Sequence, residues 1–329
     1  MNVMGVMPVN SLILKMSIPM MISMLVQALY NIVDSIFVAQ INENALAAVS
    51  LAFPVQMAII GIAVGTGVGI NALLSKSLGE RNFEKVNKTA ANGIFLALMG
   101  AAVFFAAGIL FTEVYFRTQT DIDEIVKYGC DYISIICIFS FTVFFQITFE
   151  RLLASTGKTF YAMISQITGA LVNIALDPIL IFGLFGFPAM GVKGAAIATI
   201  IGECCGSFTA FMLNLKINKE IRFSFKGFKP DLGIIKSIYA VGFPSILIQC
   251  AGSLMIYGVN RILIQFSSTA NAVFGVFFRL QSFVFMPIFG MNNAIIPIIA
   301  YNYGARHKDR ITKTIKLSVI YAACIMFIG

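Results

Sequence analysis

The chain consists of long apolar runs separated by short polar connections. A bilayer core requires about 20 mostly apolar residues per helix. Runs of that length occur near residues 12–38, 49–75, 91–112, 131–150, 160–184, 194–215, 237–265 and 271–300, and a ninth begins near Leu317. These runs lack the period-2 alternation typical of transmembrane barrel strands. The pattern therefore predicts an all-α, polytopic membrane protein.

Composition supports this prediction. Of the 329 residues, 59% are hydrophobic and only 12% are charged, whereas a soluble domain has about 45–50% apolar and about 25% charged residues. This excludes soluble classes such as dehydrogenases, kinases and DNA-binding domains. The 31 Phe and 27 Gly are typical of a helix bundle with close backbone contacts.

The cysteine and histidine pattern favours neither a metal site nor a disulfide framework. The six cysteines lie in or beside apolar runs, without a CxxC pair or a Cys/His ligand spacing. The single histidine, His307, lies in a basic connection. We expect no resident cofactor. The N-terminus lacks a basic segment followed by a small-residue cleavage site, so we expect no removable signal peptide.

Charge alternates between successive connections. Every second connection is rich in lysine and arginine, and the others are poor in positive charge. The basic positions are Lys76, Arg81, Lys85, Lys88, Arg151, Lys158, Lys216, Lys219, Arg222, Lys226, Lys229, Lys236, Arg306, Lys308, Arg310, Lys313 and Lys316. One intervening connection is acidic, with Glu113, Asp121, Asp123 and Glu124. The positive-inside rule places the N-terminus and the basic connections in the cytoplasm, and predicts a multi-pass protein of the cell (inner) membrane.

The formal net charge of +8 follows from this topology. Basic connections beside spans orient the chain and contact lipid headgroups, so we expect membrane lipids rather than nucleic acid as partners. Gly157-Lys158-Thr159 matches the end of a phosphate-binding loop, but Leu152 occupies the position of the required first glycine. No nucleotide site is expected.

The sequence contains an internal repeat at one fixed offset, which we call the repeat offset. It pairs Pro19 with Pro244 and Gly65 with Gly290, and it pairs the Gly-x-Arg motif that begins at Gly79 with another at Gly304. Each unit has six spans, an even number, so both units have the same orientation. This is a parallel repeat about an axis along the membrane normal.

The repeat predicts two lobes. Residues 1–215 form an N-lobe of transmembrane helices 1–6, 216–236 a cytoplasmic basic linker, and 237–329 a partial C-lobe of helices 7–9. Because the second unit stops in its third span, we expect a C-terminally truncated chain. We expect twelve helices in the whole protein, of which this chain would contain about eight and a half.

Polar side chains inside the spans mark the candidate site. A charged residue within a bilayer costs at least a few kcal/mol and is usually functional. On the first helix, helical spacing puts four polar residues on one face: Gln27, Tyr30, Asn31 and Asp34.

Two further helices carry short polar stripes. Asn173 precedes Asp177 by four residues, and Thr199 precedes Glu203 by four. The stripes would converge if they line one cavity. Pro178 has no N–H and releases the carbonyl of the residue four positions earlier, which could coordinate Na⁺ or a bridging water. A structural buried pair of carboxylates is the alternative interpretation.

Clustered carboxylates in an apolar environment favour the protonated form. Such a site can exchange a proton for a sodium ion or an organic cation, which is the physical requirement for antiport. In the second half, Arg261 is expected to extend to an interface. Whether Arg279 lines a cavity or packs structurally stays open at this point.

The sequence resembles the MATE family of multidrug and toxic compound extrusion transporters over essentially the whole chain. The resemblance rests on Pro19 followed by Gln27-x-x-Tyr30-Asn31-x-x-Asp34, on Asn173-x-x-x-Asp177-Pro178, on Gly191–Thr199, on Arg279-Leu-Gln-Ser-Phe and on Tyr301-Asn-Tyr-Gly304. It implies twelve helices in two lobes around a central cavity, with H⁺ or Na⁺ entering as substrate leaves. It also implies a cation-coupling site, which would hold Na⁺ if the protein is sodium-coupled, of Asp34, Asn173, Asp177 and Thr199.

We therefore expect a monomeric secondary exporter of lipophilic cationic drugs or toxins, and not an enzyme. The expected cavity residues are Gln27, Tyr30, Asn31, Glu203, Arg279 and Gln281. A lipid-linked oligosaccharide flippase of the same superfamily and a non-transporting fragment are the alternatives. An intramembrane aspartyl protease is disfavoured, because Asp177 follows Ile174-Ala-Leu rather than the Gly-x-Gly of those enzymes.

Overall fold

The computed structural model describes residues 2–223, 228–266 and 268–328; at 328 and for many residues between 253 and 283 it describes the backbone alone. The described helices are α1 Val3–Val6, α2 Val9–Ala39, α3 Glu43–Gly79, α4 Phe83–Gln119, α5 Asp123–Ile138, α6 Phe141–Ser155, α7 Thr159–Phe182, α8 Val192–Ile217, α9 Leu232–Phe266, α10 Ser268–Gly304 and α11 Lys308–Ile328. A short 3₁₀ turn, Leu184–Gly186, follows α7.

The prediction of an all-helical polytopic fold is confirmed. Seven described helices are long and apolar enough to cross a membrane, and α5 with α6 makes an eighth span that bends by 46°. The predicted fourth run, 131–150, is therefore broken: the helix is interrupted at Phe139 and Ser140. The ninth run corresponds to α11, which begins at Lys308 rather than near Leu317.

Two helices begin before their predicted apolar runs because asparagine caps extend them. The Asn42 side chain accepts a hydrogen bond from the Ala45 N–H at 2.7 Å, and the Asn82 side chain accepts one from the Lys85 N–H at 3.0 Å. An N-cap side chain satisfies a backbone donor that lacks a partner within the helix. The caps explain why α3 and α4 include polar first turns.

We call α2–α8 the first helix group and α9–α11 the second helix group. Within the first, α7 packs on α8 and on α2, while α3 packs on α4, α5 and α6. Between the groups, α9 packs on α3, and α10 packs on α2 and α3. The end of the bundle at which α2 begins and α3 and α10 end carries the basic connections, and we call it the basic end.

The contacts between the groups near the basic end follow the repeat offset. A Cβ added at Gly79 would collide with the Tyr301 carbonyl, and one at Gly304 with the Lys76 carbonyl. The repeat offset pairs Lys76 with Tyr301, just as it pairs Gly79 with Gly304. These two contacts are therefore related by an approximate two-fold axis between the groups.

A second pair of contacts repeats the relation nearer the middle of the bundle. A Cβ at Gly65 would lie 2.9 Å from the Ile246 nitrogen, and one at Gly290 would lie 2.7 Å from the Met21 nitrogen. The absence of a side chain at each glycine permits the backbones to touch. The glycines thus set how closely the two groups approach.

The turns after α3 and α10 also have the same geometry. Arg81 and Arg306, which the repeat offset pairs, have φ angles of 58° and 60°. Behind them, the Asn82 N–H donates to the Ser77 carbonyl and the His307 N–H to the Asn302 carbonyl, both at 2.9 Å. The sequence repeat is therefore also a repeat of backbone conformation.

The N-terminal segment joins both helix groups at the basic end. The Asn2 side chain donates to the Thr156 carbonyl at 3.0 Å. Arg310 donates to the carbonyls of Met4 and Met7 at 3.0 and 2.7 Å. We call residues 2–8 the N-terminal strap, because they connect the α6–α7 turn with α11.

Candidate functional site

A cavity of about 510 Å³ lies between the two helix groups. Its wall comes from α2, α3 and α5–α8 on one side and from α9 and α10 on the other. The second group contributes Ser245, Ile248, Gln249, Met286, Phe289, Asn292, Asn293 and Ile296. Sequence reasoning identified none of these eight residues, because no charged side chain marks them.

The polar stripe of α2 faces this cavity. Gln27, Tyr30, Asn31 and Asp34 all line it. The Asp34 Oδ1 atom is buried and has no hydrogen-bond partner in the structure. A buried carboxylate oxygen without a donor is costly, so this atom is suited to a proton or a cation.

The α7 and α8 stripes meet beside it. The Asn173 Nδ2 donates to Asp177 Oδ1 at 3.3 Å and approaches Thr199 Oγ1 at 3.5 Å. Asn173 and Thr199 line the cavity, whereas Asp177 is fully buried behind them. Asp177 interacts electrostatically with Asp34, so the two carboxyl groups belong to one cluster.

Three oxygens of this cluster have no hydrogen-bond partner among the described residues: Asp34 Oδ1, Asn173 Oδ1 and Asp177 Oδ2. Carboxylate, amide and hydroxyl oxygens are ligands that hard cations accept. No group of three or more His, Cys, Asp or Glu suited to a metal occurs among the described residues. The cluster therefore offers mixed oxygen ligands rather than a carboxylate cage.

Glu203 lies at a separate point of the cavity wall. Its Oε2 accepts a hydrogen bond from Thr142 on α6 at 2.7 Å. Thr199, which precedes Glu203 by four residues on the same stripe, donates to the Ala195 carbonyl at 3.0 Å. Glu203 thus lines the cavity, and its hydrogen bond links α8 with α6.

Glu150 is a third carboxylate of the cavity wall, beside Asp34 and Glu203, and sequence reasoning missed it. Its Oε1 accepts hydrogen bonds from Ser165 at 3.0 Å and from Gln146 at 3.2 Å. Gln146 and Glu150 are four residues apart, the same spacing that identified the other stripes. The signal was present, but Glu150 stood at the end of the predicted fourth run.

Arg151 requires a correction. The sequence pattern places it in a basic connection, yet it lies within α6, is only 7% exposed and lines the cavity. The prediction was wrong because α6 continues to Ser155 and keeps Arg151 inside the bundle. The connection begins only after Ser155.

The hydroxyl of Tyr30 lies within electrostatic range of Asp34, Glu150, Asp177 and Glu203. The stripes of α2, α6, α7 and α8 therefore converge on one acid-lined chamber. Gln56 also lines it and donates to the Tyr132 hydroxyl at 3.0 Å.

The sequence also predicts two cavity residues in the second helix group, Gln281 and Arg279. Gln281 is exposed and is not among the described residues that line the cavity. Arg279 and Arg261 lie outside the described side chains, so their predicted roles stay predictions.

Eight apolar spans around a cavity lined by acidic side chains define a polytopic membrane transporter. The MatE family model matches residues 19–179 and 244–329, and the chain belongs to this transporter family. The two matched segments begin at Pro19 and Pro244, which the repeat offset pairs. Family membership makes the protein a transporter rather than an enzyme.

Among curated relatives, the multidrug export protein MepA of Staphylococcus haemolyticus is 28% identical over 314 residues, covering 94% of this chain and 68% of the relative. The FAD transporter of Shewanella oneidensis is 26% identical, covering 95% of this chain and 69% of the relative. The chain therefore spans about 70% of the length of these relatives.

Solved structures are similar over nearly the whole chain. A multidrug resistance MATE family transporter in an outward-facing conformation is 31% identical, with a TM-score of 0.90 over 95% of this chain and 69% of its own. A MOP superfamily transporter from Pyrococcus furiosus is 30% identical, with a TM-score of 0.92 over 98% of this chain and 71% of its own.

Proposed function

We propose that this protein is a secondary active exporter that exchanges H⁺ or Na⁺ for lipophilic organic cations by alternating access. The observation that carries the proposal is a set of four acids, of which Asp34, Glu150 and Glu203 line the cavity and Asp177 lies buried behind its wall. In the described part of the chain, none of them forms a salt bridge. A cavity with unpaired acids and apolar walls favours amphiphilic cations. The multidrug exporters among the relatives support this substrate class.

The coupling site in this proposal consists of Asp34, Asn173, Asp177 and Thr199. Its unpartnered oxygens accept either a proton or a sodium ion, and binding of either removes the penalty of unpaired buried carboxylate oxygens. A cationic drug in the neighbouring chamber competes electrostatically with that ion. Substrate release is thereby coupled to ion entry.

For the transport cycle we propose that the protein lies in the cell (inner) membrane with its basic end facing the cytoplasm. Positively charged connections favour this orientation. The Gly79–Tyr301 and Gly304–Lys76 contacts then close the cytoplasmic side. A rocking movement of the two lobes, residues 1–215 and 237–329, would separate these contacts and open the cavity inward. Residues 216–236 form the linker that permits the movement. We propose that one monomer, with surrounding lipid, is sufficient.

The alternative substrates carry phosphate. A lipid-linked oligosaccharide has a pyrophosphate group, and the FAD transporter named among the relatives moves a dinucleotide. Recognition of several phosphate charges normally uses more than one arginine. Among the described lining residues only Arg151 is an arginine, so the acid-rich wall favours cations.

The test is ethidium efflux from cells that lack their own exporters and express this chain. Asp34→Asn removes the negative charge but keeps the size of the side chain. We expect loss of efflux with the protein still in the membrane. The matched control is Asp121→Asn, at an exposed residue between α4 and α5, which should retain efflux. Sodium and pH gradients imposed separately on proteoliposomes identify the ion. Full efflux by the Asp34→Asn variant would refute the coupling role.

A further inference from the structure

The connection between α7 and α8 exposes large apolar side chains. We call residues 183–191, which form this connection, the aromatic loop. Phe185 is 87% exposed and Phe187 is 53% exposed, and Leu184 beside them is exposed as well. The loop contains no charged residue. Such a surface is unfavourable in water, because the hydrophobic effect favours removal of apolar area from it.

The backbone of the aromatic loop is fixed and strained at one residue. The Met190 N–H donates to the Leu180 carbonyl at 2.9 Å, and the Gly191 N–H donates to the Ile181 carbonyl at 3.1 Å, which closes the base of the loop. Phe185 has a φ angle of 57°, in the left-handed region that a bulky residue adopts at a cost. Glycine would adopt this conformation freely. A favourable environment for the exposed ring would offset the strain.

The aromatic loop lies closer to the bilayer than the acidic connection beside it. Lys193, two residues after the loop, forms a salt bridge with Asp131 of α5 at 3.2 Å. From Asp131, α5 continues back to its start at Asp123, which is about 12 Å of helix. The acidic connection before α5 therefore extends further from the membrane, while the aromatic loop lies near the level of the Lys193–Asp131 pair.

The exposed side of α7 leads directly into the loop. Leu171, Ala175 and Phe182 are exposed, and their spacing places them on one face of the helix. The cavity-lining residues Gln166 and Asn173 lie on the opposite face. None of residues 183–191, all of which the structure describes, lines the cavity. The loop thus continues the apolar surface that a multi-pass protein turns toward lipid.

We propose that the aromatic loop is a lipid-binding anchor, which inserts Phe185 and Phe187 between the headgroups and acyl chains of the leaflet opposite the basic end. Phenylalanine and leucine side chains suit this boundary, into which apolar faces of interfacial segments insert by about 5–10 Å. Insertion removes the apolar surface from water and offsets the backbone strain at Phe185. It also fixes the height in the membrane of the α7–α8 hairpin, which carries Asn173 and Thr199.

A single tryptophan can report this contact, because the chain contains none. We would place the full chain with Phe185→Trp in phosphatidylcholine vesicles, with and without lipid brominated near the headgroup end of its acyl chain. The matched control is Ile122→Trp, because Ile122 is also an apolar residue that is 52% exposed but lies in the acidic connection. We expect bromolipid to quench the Phe185→Trp emission at least about twofold more than the control emission, and aqueous iodide to quench the control more strongly.

Phe185→Asn separates the anchor from the backbone strain. Asparagine adopts the left-handed region more readily than phenylalanine, so this variant would stabilise a loop that lies in water. In lipid nanodiscs we expect the reverse: loss of the ring should speed amide hydrogen exchange of residues 183–191 by about threefold or more. Phe187→Trp supplies the fluorescence measurement if Phe185→Trp does not fold.

Equal quenching of Phe185→Trp and Ile122→Trp by iodide would place the loop in water and overturn the proposal. Emission that neither bromolipid nor iodide quenches would show that protein covers the loop, and would overturn it as well. Unchanged or slower exchange in Phe185→Asn would have the same consequence. None of these measurements requires transport, so the anchor is tested independently of the proposed export.

Discussion

At the scale of single residues, the carboxylates at the cavity are of two kinds. Within the described part of the chain, Asp34 and Asp177 have oxygens without hydrogen-bond partners, whereas Glu150 and Glu203 each accept hydrogen bonds from neighbouring side chains. The first pair is suited to a small ion that supplies the missing contact. The second pair has fixed positions and presents negative charge to a larger guest.

This division predicts different effects of substitution. Glu150→Gln or Glu203→Gln keeps the shape of the wall but removes one negative charge. We expect each to weaken ethidium binding to the purified chain by about 3- to 10-fold, because a charge at short range in a protein contributes on the order of 1 kcal/mol or more. Ethidium fluorescence titration measures this. Glu43→Gln, at an exposed residue, is the control, and equal affinities for all three variants and the unaltered chain would contradict the assignment.

At the scale of elements, the N-terminal strap depends on one arginine. Arg310 Nη2 donates to the Met4 and Met7 carbonyls, and its Nε donates to the Asn302 side chain at 2.9 Å. Asn302 also donates to the Met4 carbonyl at 3.2 Å. These bonds hold residues 2–8 against α10 and α11, while Asn2 holds them to the first helix group.

Arg310→Met should therefore release the strap. Hydrogen bonds from a charged donor contribute about 1.5–3 kcal/mol each, so we expect faster amide hydrogen exchange in residues 2–8 and a lower unfolding temperature. Mass spectrometry of the N-terminal peptide gives the exchange rate. Lys313→Met, at an exposed residue of the same helix, should leave it unchanged; protection that persists in Arg310→Met would show that the strap is held by other contacts.

At the scale of the whole molecule, alternating access requires the two helix groups to separate. A Cβ added at Gly61 would lie 3.5 Å from the Gln249 Cβ, which is within the range of a disulfide. Gly61→Cys with Gln249→Cys, in a background without the six native cysteines, should cross-link α3 to α9 under oxidation.

The cross-link should stop ethidium efflux, and reduction with dithiothreitol should restore it. Each single cysteine variant should keep efflux under the same oxidant. Proteolytic cleavage between the two helix groups shows whether the disulfide has formed, because cross-linked fragments stay joined. If efflux continues with the disulfide formed, transport does not require these helices to separate.

The sequence by itself determined the spans and the repeat. In lipid every backbone polar group must be satisfied within its own segment, so long apolar runs become helices whatever surrounds them. The repeat offset likewise pairs Gly79 with Gly304, and the two glycines make equivalent contacts in the structure because equivalent sequences form equivalent backbones. Helical spacing also placed the Asp34 stripe on one face.

Only the tertiary structure decided what that face meets. Asn173 and Thr199 lie on different helices, and nothing local shows that α7 and α8 bring them within 3.5 Å. Glu150 and Arg151 resemble the polar margin of a span, yet α6 keeps both beside the cavity. Hydropathy reports the average environment of a segment, whereas the position of a charge inside the bundle depends on how helices distant in sequence pack.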